Sequence, residues 1–301
     1  MTFAEFLYRY EYIKLNGFLR ESLADNADLF FGLALGWILL SYIAGSLNFA
    51  IIISKTIYRD DIRNHGSGNA GFTNTKRTFG TKAAIAVIVG DLMKTILSVT
   101  GAMLLFGADI ATLAGLACIF GHCFPLFYKF KGGKGVAALA AMVLVLDPIV
   151  FLVLFFVFAV VVIGTKYLSM GSIMAMILYP LFHNRIYTFI HADVLPDYFA
   201  SHGLSTQIET LNGAVTNVTD FDHTLLHAPS TIMVLVAVFM ALFGVIMHRT
   251  NIRRILNGTE NHFYISKKQK AKHEATLKKT APVSRHRLDE LDEELNESDR
   301  D

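Results

Sequence analysis

The chain has 301 residues, 53% of them hydrophobic, and a formal net charge of only +2. Its apolar residues fall in runs longer than the helices of a soluble core this size, which excludes an ordinary water-soluble domain and points to a polytopic membrane protein. The two cysteines, Cys118 and Cys123, share one apolar run, so neither a disulfide framework nor a Cys-x-x-Cys metal pair is on offer.

Residues 1–29 lack the short apolar core and small-residue cleavage site of a signal peptide, and read as an amphipathic extension at the membrane surface. Apolar runs then follow at residues 30–57, 81–106, 110–127, 135–146, 149–163, 170–190 and 232–247. They predict an all-α protein of seven transmembrane helices. The fourth and fifth runs are short and meet at Asp147 and Pro148. At ~1.5 Å per residue neither crosses a ~30 Å hydrocarbon core, so they predict a hairpin shielded by its neighbours, with a single kinked helix as the alternative. Residues 191–230 form a polar insertion, and residues 267–301 a charged tail poor in aromatics. The membrane domain thus covers residues 30–266.

Orientation follows from Lys and Arg, which accumulate in cytoplasmic loops. Lys55, Arg59, Arg63, Lys76, Arg77 and Lys82 cluster after the first run, whereas residues 186–248 contain no Lys or Arg. Seven spans then put the N-terminus outside and the C-terminus inside. The loops around Lys134 and Lys166 share the cytoplasmic face with the first.

Two of those loops contain little that builds a core. Residues 64–80, NHGSGNAGFTNTKRTFG, combine glycines with Ser67, Asn69, Thr73, Asn74 and Arg77. Successive glycine amides can form a nest for an anion, and Arg77 supplies a fork suited to phosphate. A plain turn would need far fewer residues. Residues 129–136, KFKGGKGV, set Lys129, Lys131 and Lys134 around three glycines. This is not a nucleotide P-loop: Tyr128 stands where its first glycine belongs and Gly135 where its magnesium-binding hydroxyl belongs. Phosphate binding fits; nucleotide hydrolysis does not.

Asp91 and Lys94 lie three apart inside the second run, hence on one helical face. An ionisable pair in a membrane helix must be buried and paired, whether it serves function or helix register. His122 and His248 stand near the cytoplasmic ends of their runs, as bases or as interfacial residues.

The polar positions together resemble the bacterial acyl-phosphate-dependent glycerol-3-phosphate acyltransferases of the PlsY type, over residues 31–187 and 232–261. The first family motif is matched by Gly66, Ser67, Gly68, Asn69, Gly71, Thr73, Asn74 and Arg77. The second is matched by Gly121, His122, Pro125, Phe130, Gly132, Gly133, Lys134, Gly135 and Val136. Tyr167, Ser169 and Gly171 match the third, and His248, Asn251, Ile252, Arg254 and Glu260 the fourth. Phe72 and Ala138 depart from the family pattern, which reshapes the pocket wall.

The resemblance implies a multi-pass enzyme of the bacterial plasma membrane, its site open to the cytoplasm. It would move an acyl chain from acyl phosphate to the 1-hydroxyl of glycerol 3-phosphate, giving lysophosphatidic acid and phosphate. Membrane lipids are the expected surroundings, with no cofactor, metal or nucleic acid. The expected reacting set is Ser67, Asn74, His122 and His248. The expected substrate-binding set is Gly68, Asn69, Thr73, Arg77, Gly132, Gly133, Lys134, Ser169, Asn251, Arg254 and Glu260. The proton acceptor is His122, His248 or a substrate phosphate. A transporter for a phosphorylated solute is the alternative, although the motifs gather at one interface instead of mid-membrane.

Overall fold

Asparagine side chains set the start of two of the first helices in the computed structural model. The structure describes residues 17–23, 25–188, 207–209, 215–217 and 231–263. Most of the N-terminal extension, most of the 191–230 insertion and the 267–301 tail lie outside the described residues. A short helix, α1 (Phe18–Ser22), precedes α2 (Ala27–Ser46), whose first turn is capped by Asn26 accepting the Leu29 amide. Asn48 does the same for α3 (Phe49–Ile57), accepting from Ile51. Such caps satisfy amides that a helix start leaves without partners.

The run expected as one helix over residues 30–57 is therefore two, broken at Leu47 and Asn48. The break releases the carbonyls of Gly45 and Leu47, and both accept a hydrogen bond from Lys94 at 2.9 Å. A buried ammonium on another helix thus replaces the acceptors' lost partners.

α4 (Phe72–Phe79) runs along the first polar loop, and α5 (Thr81–Phe106) follows after Gly80. Next come α6 (Ala108–Cys123), α7 (Val136–Leu146), α8 (Pro148–Thr165) and α9 (Leu168–Thr188). The last helices are α10 (Thr231–Met247) and α11 (Arg249–Leu256), bent by 56° at His248. Outside the helices, β1 (Gln207–Glu209) and β2 (Val215–Asn217) pair antiparallel with Ile208 opposite Thr216, a small ribbon inside the insertion that an all-α reading did not include.

Among the described residues, four helices are long and apolar enough to cross a membrane, or five when α10 and α11 count together. One of the four is α8, expected to be too short. Pro148 pre-sets its first turn, and the helix runs on through Gly164 and Thr165 to Lys166, giving 18 residues, about 27 Å at the α-helical rise. Its partner α7 has only 11 residues and is walled in, with Ala138, Leu139, Ala141, Met142, Val143 and Leu146 buried.

The main core runs from Val99 and Ala111 through Met142 and Leu146 to Met176, Tyr179, Met240 and Phe243. A smaller one, made by Ala50, Ile51, Ile62, Ala70 and Val87, seats the first polar loop on α3 and α5. α2 and α6 touch backbone to backbone: a Cβ on Gly121 would lie 2.2 Å from the Tyr42 carbonyl oxygen, and one on Gly45 2.1 Å from that of Cys118. Small residues permit such approach where lipid offers no hydrophobic drive between helices. Gly121→Ala is expected to destabilise the fold by about 1–3 kcal/mol through overpacking. Because Cys118 and Cys123 are buried free thiols, a thiol-reactive fluorophore followed during heating in detergent measures the drop in melting temperature directly.

Candidate active site

One buried side chain ties the centre of the first polar loop together. Asn74, buried on α4, accepts the Ser67 amide at 3.1 Å on Oδ1 and donates from Nδ2 to the carbonyls of Ile62, 3.1 Å, and His65, 2.9 Å. Gly66 has φ +56 and passes so close that a Cβ would lie 2.3 Å from Asn74 Oδ1. Both amide hydrogens of Asn74 are thus committed inside the loop, and it has no donor left for a developing oxyanion. Its work is to hold Ser67, Gly68 and Asn69 outward.

Arg63 joins this loop to the second. Its guanidinium forms a two-pronged pair with Asp61, 2.9 and 2.7 Å, and donates onward to the Tyr128 carbonyl at 2.8 Å. The hydrogen bonds from Arg63 and its charge hold the Asp61 carboxyl well below the usual carboxylate range, against the opposing effect of burial. A forked pair of this kind fixes geometry as well as charge.

In the second loop the glycines turn inward. The Gly132 amide donates to the Cys123 carbonyl and that of Gly133 to His122, each at 3.1 Å. A Cβ on Gly132 would lie 2.1 Å from the His122 carbonyl oxygen, and one on Gly133 2.1 Å from His122 Nε2. These two glycines therefore serve close approach, and their amides are spent on the end of α6 instead of facing an anion. Lys134 then emerges at the start of α7, where first-turn amides lack intrahelical acceptors.

Lys134 donates to Asn251 Oδ1, and Asn251 donates to Glu260 Oε1 at 2.8 Å. Ser169 also donates to Glu260 Oε1, at 2.8 Å, and Arg254 Nε to Oε2 at 2.9 Å. Burial works to raise the Glu260 pKa, but the hydrogen bonds from Asn251, Ser169 and Arg254 outweigh it and keep the carboxyl below its ordinary range. Burial, reinforced by the Arg254 charge, pulls the Lys134 ammonium down to about 8. After Glu260 the chain straps back: the Phe263 amide donates to Lys166 at 2.7 Å, and its ring lies 4.5 Å from the Lys76 ammonium.

Ser67, Gly68, Asn69, Lys134, Met247, Arg249, Thr250 and Arg254 line one open cleft of ≈ 200 Å3. Three cations and a glycine loop converge on it, an arrangement that binds phosphate-bearing solutes.

The profile of the glycerol-3-phosphate acyltransferase family matches residues 35–258 of this chain. Glycerol-3-phosphate acyltransferase 2 of Bacillus anthracis is 34% identical over 74% of the chain and 96% of the relative. The chain belongs to the glycerol-3-phosphate acyltransferase family. The enzyme of that name from Geobacillus kaustophilus is 35% identical over 74% of the chain and 92% of its own length. In structure the chain resembles PlsY (YgiH), an integral membrane glycerol 3-phosphate acyltransferase. Its glycerol 3-phosphate form aligns with a TM-score of 0.59 and 29% identity, covering 77% of this chain and 96% of that one. Its lysophosphatidic acid form aligns with a TM-score of 0.56 and 27% identity. This chain is accordingly a multi-pass membrane acyltransferase, and the transporter alternative falls away.

In this acyltransferase the four motifs meet, but not every expected residue reaches the cleft. Arg77 is exposed on α4, with Glu260 and Arg254 as its charged neighbours, and is not part of the lining. Thr73 sits in the first turn of the same helix. His122 is buried in an ion cluster with Asp91 and Lys94. The Nδ1 of His248 lies 2.8 Å from the Gly244 carbonyl; since a carbonyl only accepts, Nδ1 carries the proton and Nε2 the lone pair. Neither imidazole lines the cleft. Arg249 and Thr250 were not anticipated. Their adjacency to His248 was the available signal, as was the basic cluster from Lys55 to Lys82 for Arg63.

Proposed function

We infer that this acyltransferase takes an acyl chain from acyl phosphate and delivers it to the 1-hydroxyl of glycerol 3-phosphate, giving lysophosphatidic acid and inorganic phosphate for phospholipid synthesis. The observation that carries the reading is the cleft itself, where Lys134, Arg249 and Arg254 face the Ser67 to Asn69 loop. That is charge and donor capacity for two phosphate groups. The 1-hydroxyl oxygen attacks the acyl carbonyl, the bond from that carbon to the phosphate oxygen breaks, and the electron pair leaves with phosphate. Ser67 and Asn69 are the side-chain donors for the developing oxyanion, and the cations hold both phosphates in attacking geometry. Since neither His122 nor His248 lines the cleft, a substrate phosphate oxygen takes the hydroxyl proton. Lys134 and Arg254 bind substrate; Asn251, Ser169 and Glu260 aim them.

An acyl phosphate presents a compact anionic head on a long tail, which suits a cleft at the end of lipid-facing helices such as α10, where Leu235 and Leu242 are exposed. Purified enzyme is expected to form lysophosphatidic acid from palmitoyl phosphate, with equimolar phosphate released, in the presence of chelator. Palmitoyl-CoA should give little or none. Comparable rates from the thioester would reject acyl phosphate as the donor.

For orientation, α2, α5, α6, α8, α9 and α10 are six of the seven crossings and the short α7, shielded by its neighbours, makes the seventh, with the N-terminus outside and the cleft at the cytoplasmic face. The support is the Lys and Arg asymmetry, since the cleft's own loops carry the basic excess. Single cysteines at Ser205 and Ser284, with Cys118 and Cys123 replaced, should react with an impermeant reagent from opposite sides of the membrane. Ser205 should label from outside and Ser284 from inside; labelling of both from the same side would overturn this orientation.

A further inference from the structure

Asp91 and Lys94 take no part in the chemistry above, yet they sit where the site's two loops are founded. Both are buried on α5, and Lys94 Nζ lies 2.8 Å from Asp91 Oδ1. Two of its hydrogens go to the carbonyls of Gly45 and Leu47, both at 2.9 Å. His122 Nδ1 stands 3.3 Å from both the ammonium and the carboxylate. The third ammonium hydrogen goes to His122 Nδ1; since an ammonium only donates, Nδ1 accepts and the ring proton sits on Nε2, while Asp91 balances the charge as an ion-pair partner.

Two lines run outward from this centre. Along the first, Lys94 holds the break between α2 and α3, and the next residue, Asn48, donates to the Ala70 carbonyl at 3.3 Å, which places the first loop. Along the second, Lys94, itself fixed by its ion pair with Asp91, holds the His122 ring at Nδ1, and Nε2 would lie 2.1 Å from a Cβ on Gly133, which places the second loop. The lines meet again, since the same Cβ would lie 2.8 Å from the Ala70 carbonyl oxygen. The Gly133 backbone is thus wedged between His122 and the first loop, one residue before Lys134.

We propose that Asp91 and Lys94 are positioning residues that set the spacing between the two phosphate-binding loops, acting through Asn48 and His122. A buried ion group held by carbonyls from a broken helix has one geometry, and it passes that geometry to both loops at once. The inference rests on the cleft being the substrate site as proposed above.

The test is Lys94→Met, which keeps the side-chain stem and removes the ammonium. It is assayed for binding of inorganic phosphate and of glycerol 3-phosphate, and for KM of both substrates. Loss of about tenfold or more in both affinities, with both KM values rising together, is expected of a shift in the loops. A residue that only supports the fold would lower yield and melting temperature and leave the folded fraction's affinities unchanged. Affinities within twofold of wild type in folded Lys94→Met overturn the proposal. If that variant does not fold, isosteric Asp91→Asn is measured in the same way: a tenfold loss supports the proposal and affinities within twofold overturn it. Gly133→Ala, which wedges the loop from its other side, should raise the same KM values and combine with Asp91→Asn less than multiplicatively; full independence overturns the shared path. A wild-type enzyme that binds phosphate but makes no lysophosphatidic acid defeats the proposed function alone, while the binding curves still decide the role of Lys94.

Discussion

Lys134→Ala is expected to lower kcat/KM by about a hundred- to a thousandfold, the range seen when one charge-stabilising donor is removed from a preorganised site. The side chain is half-buried, it lines the cleft, and its ammonium is held by Asn251. Truncation removes the cation and leaves Asn251 with an unused carbonyl oxygen. Titration gives an independent check. With its pKa near 8 in the free enzyme, Lys134 is charged below that pH and neutral above it, so kcat/KM falls as pH rises through about 8. A bound phosphate stabilises the ammonium, which moves the corresponding limb of kcat to higher pH. Lys134→Arg, which does not titrate in this range, should remove the limb from kcat/KM whatever its absolute rate. A pH profile unchanged in Lys134→Arg would mean that some other group titrates there.

The second large effect is expected at Glu260, a residue without direct access to the cleft. Glu260→Gln keeps the shape and discards the charge that receives Ser169, Asn251 and Arg254 together. Hydrogen bonds to a charged acceptor contribute about 1.5–3 kcal/mol when buried, and Arg254 is partly exposed, so its share is smaller. The larger consequence is geometric: Asn251 loses its reason to point its oxygen at Lys134, and Arg254 swings free. A rise of about tenfold or more in KM for the phosphate substrates, with a smaller fall in melting temperature, is expected. Glu260→Asp should recover little, because one methylene less cannot span Asn251 and Arg254 at once. If Glu260→Gln changes stability alone, the carboxylate supports the fold and not the aim of Lys134.

Much of this was legible in the sequence for a simple reason: a glycine, asparagine and lysine stretch between apolar runs has no place in a core, so its presence announces a site. Ser67, Asn69 and Lys134, singled out that way, line one cleft together with Arg254, which only the family resemblance had singled out. The Asp91 and Lys94 pair was visible from its spacing, but its third member was not, since His122 arrives from the next helix. Gly132 and Gly133 misled because glycine serves equally as an amide donor and as a place for two backbones to touch; only the neighbouring His122 decides which. Asn74 misled likewise, its amide being as able to build a loop as to serve a substrate. The break at Leu47 was hidden inside an unbroken apolar run, because the group that satisfies its carbonyls lies 47 residues further on. The reach of α8 was underread because hydropathy fades at Gly164 and Thr165 while the helix does not.

Glu260 joins Ser169 across 91 residues and, through Asn251, reaches Lys134, itself 117 residues from that asparagine. Ribosomes deliver these pieces in order, at about 5–20 residues per second, so the keystone arrives after every wall it locks. Until α10 has entered the bilayer and the strap behind α11 has emerged, the nascent chain holds a lysine and a glycine loop with no opposing side. A half-made enzyme therefore lacks one wall of its cleft. Order of synthesis thus makes closure of the cleft the last step in building the membrane domain, because the contacts that close it lie near that domain's end.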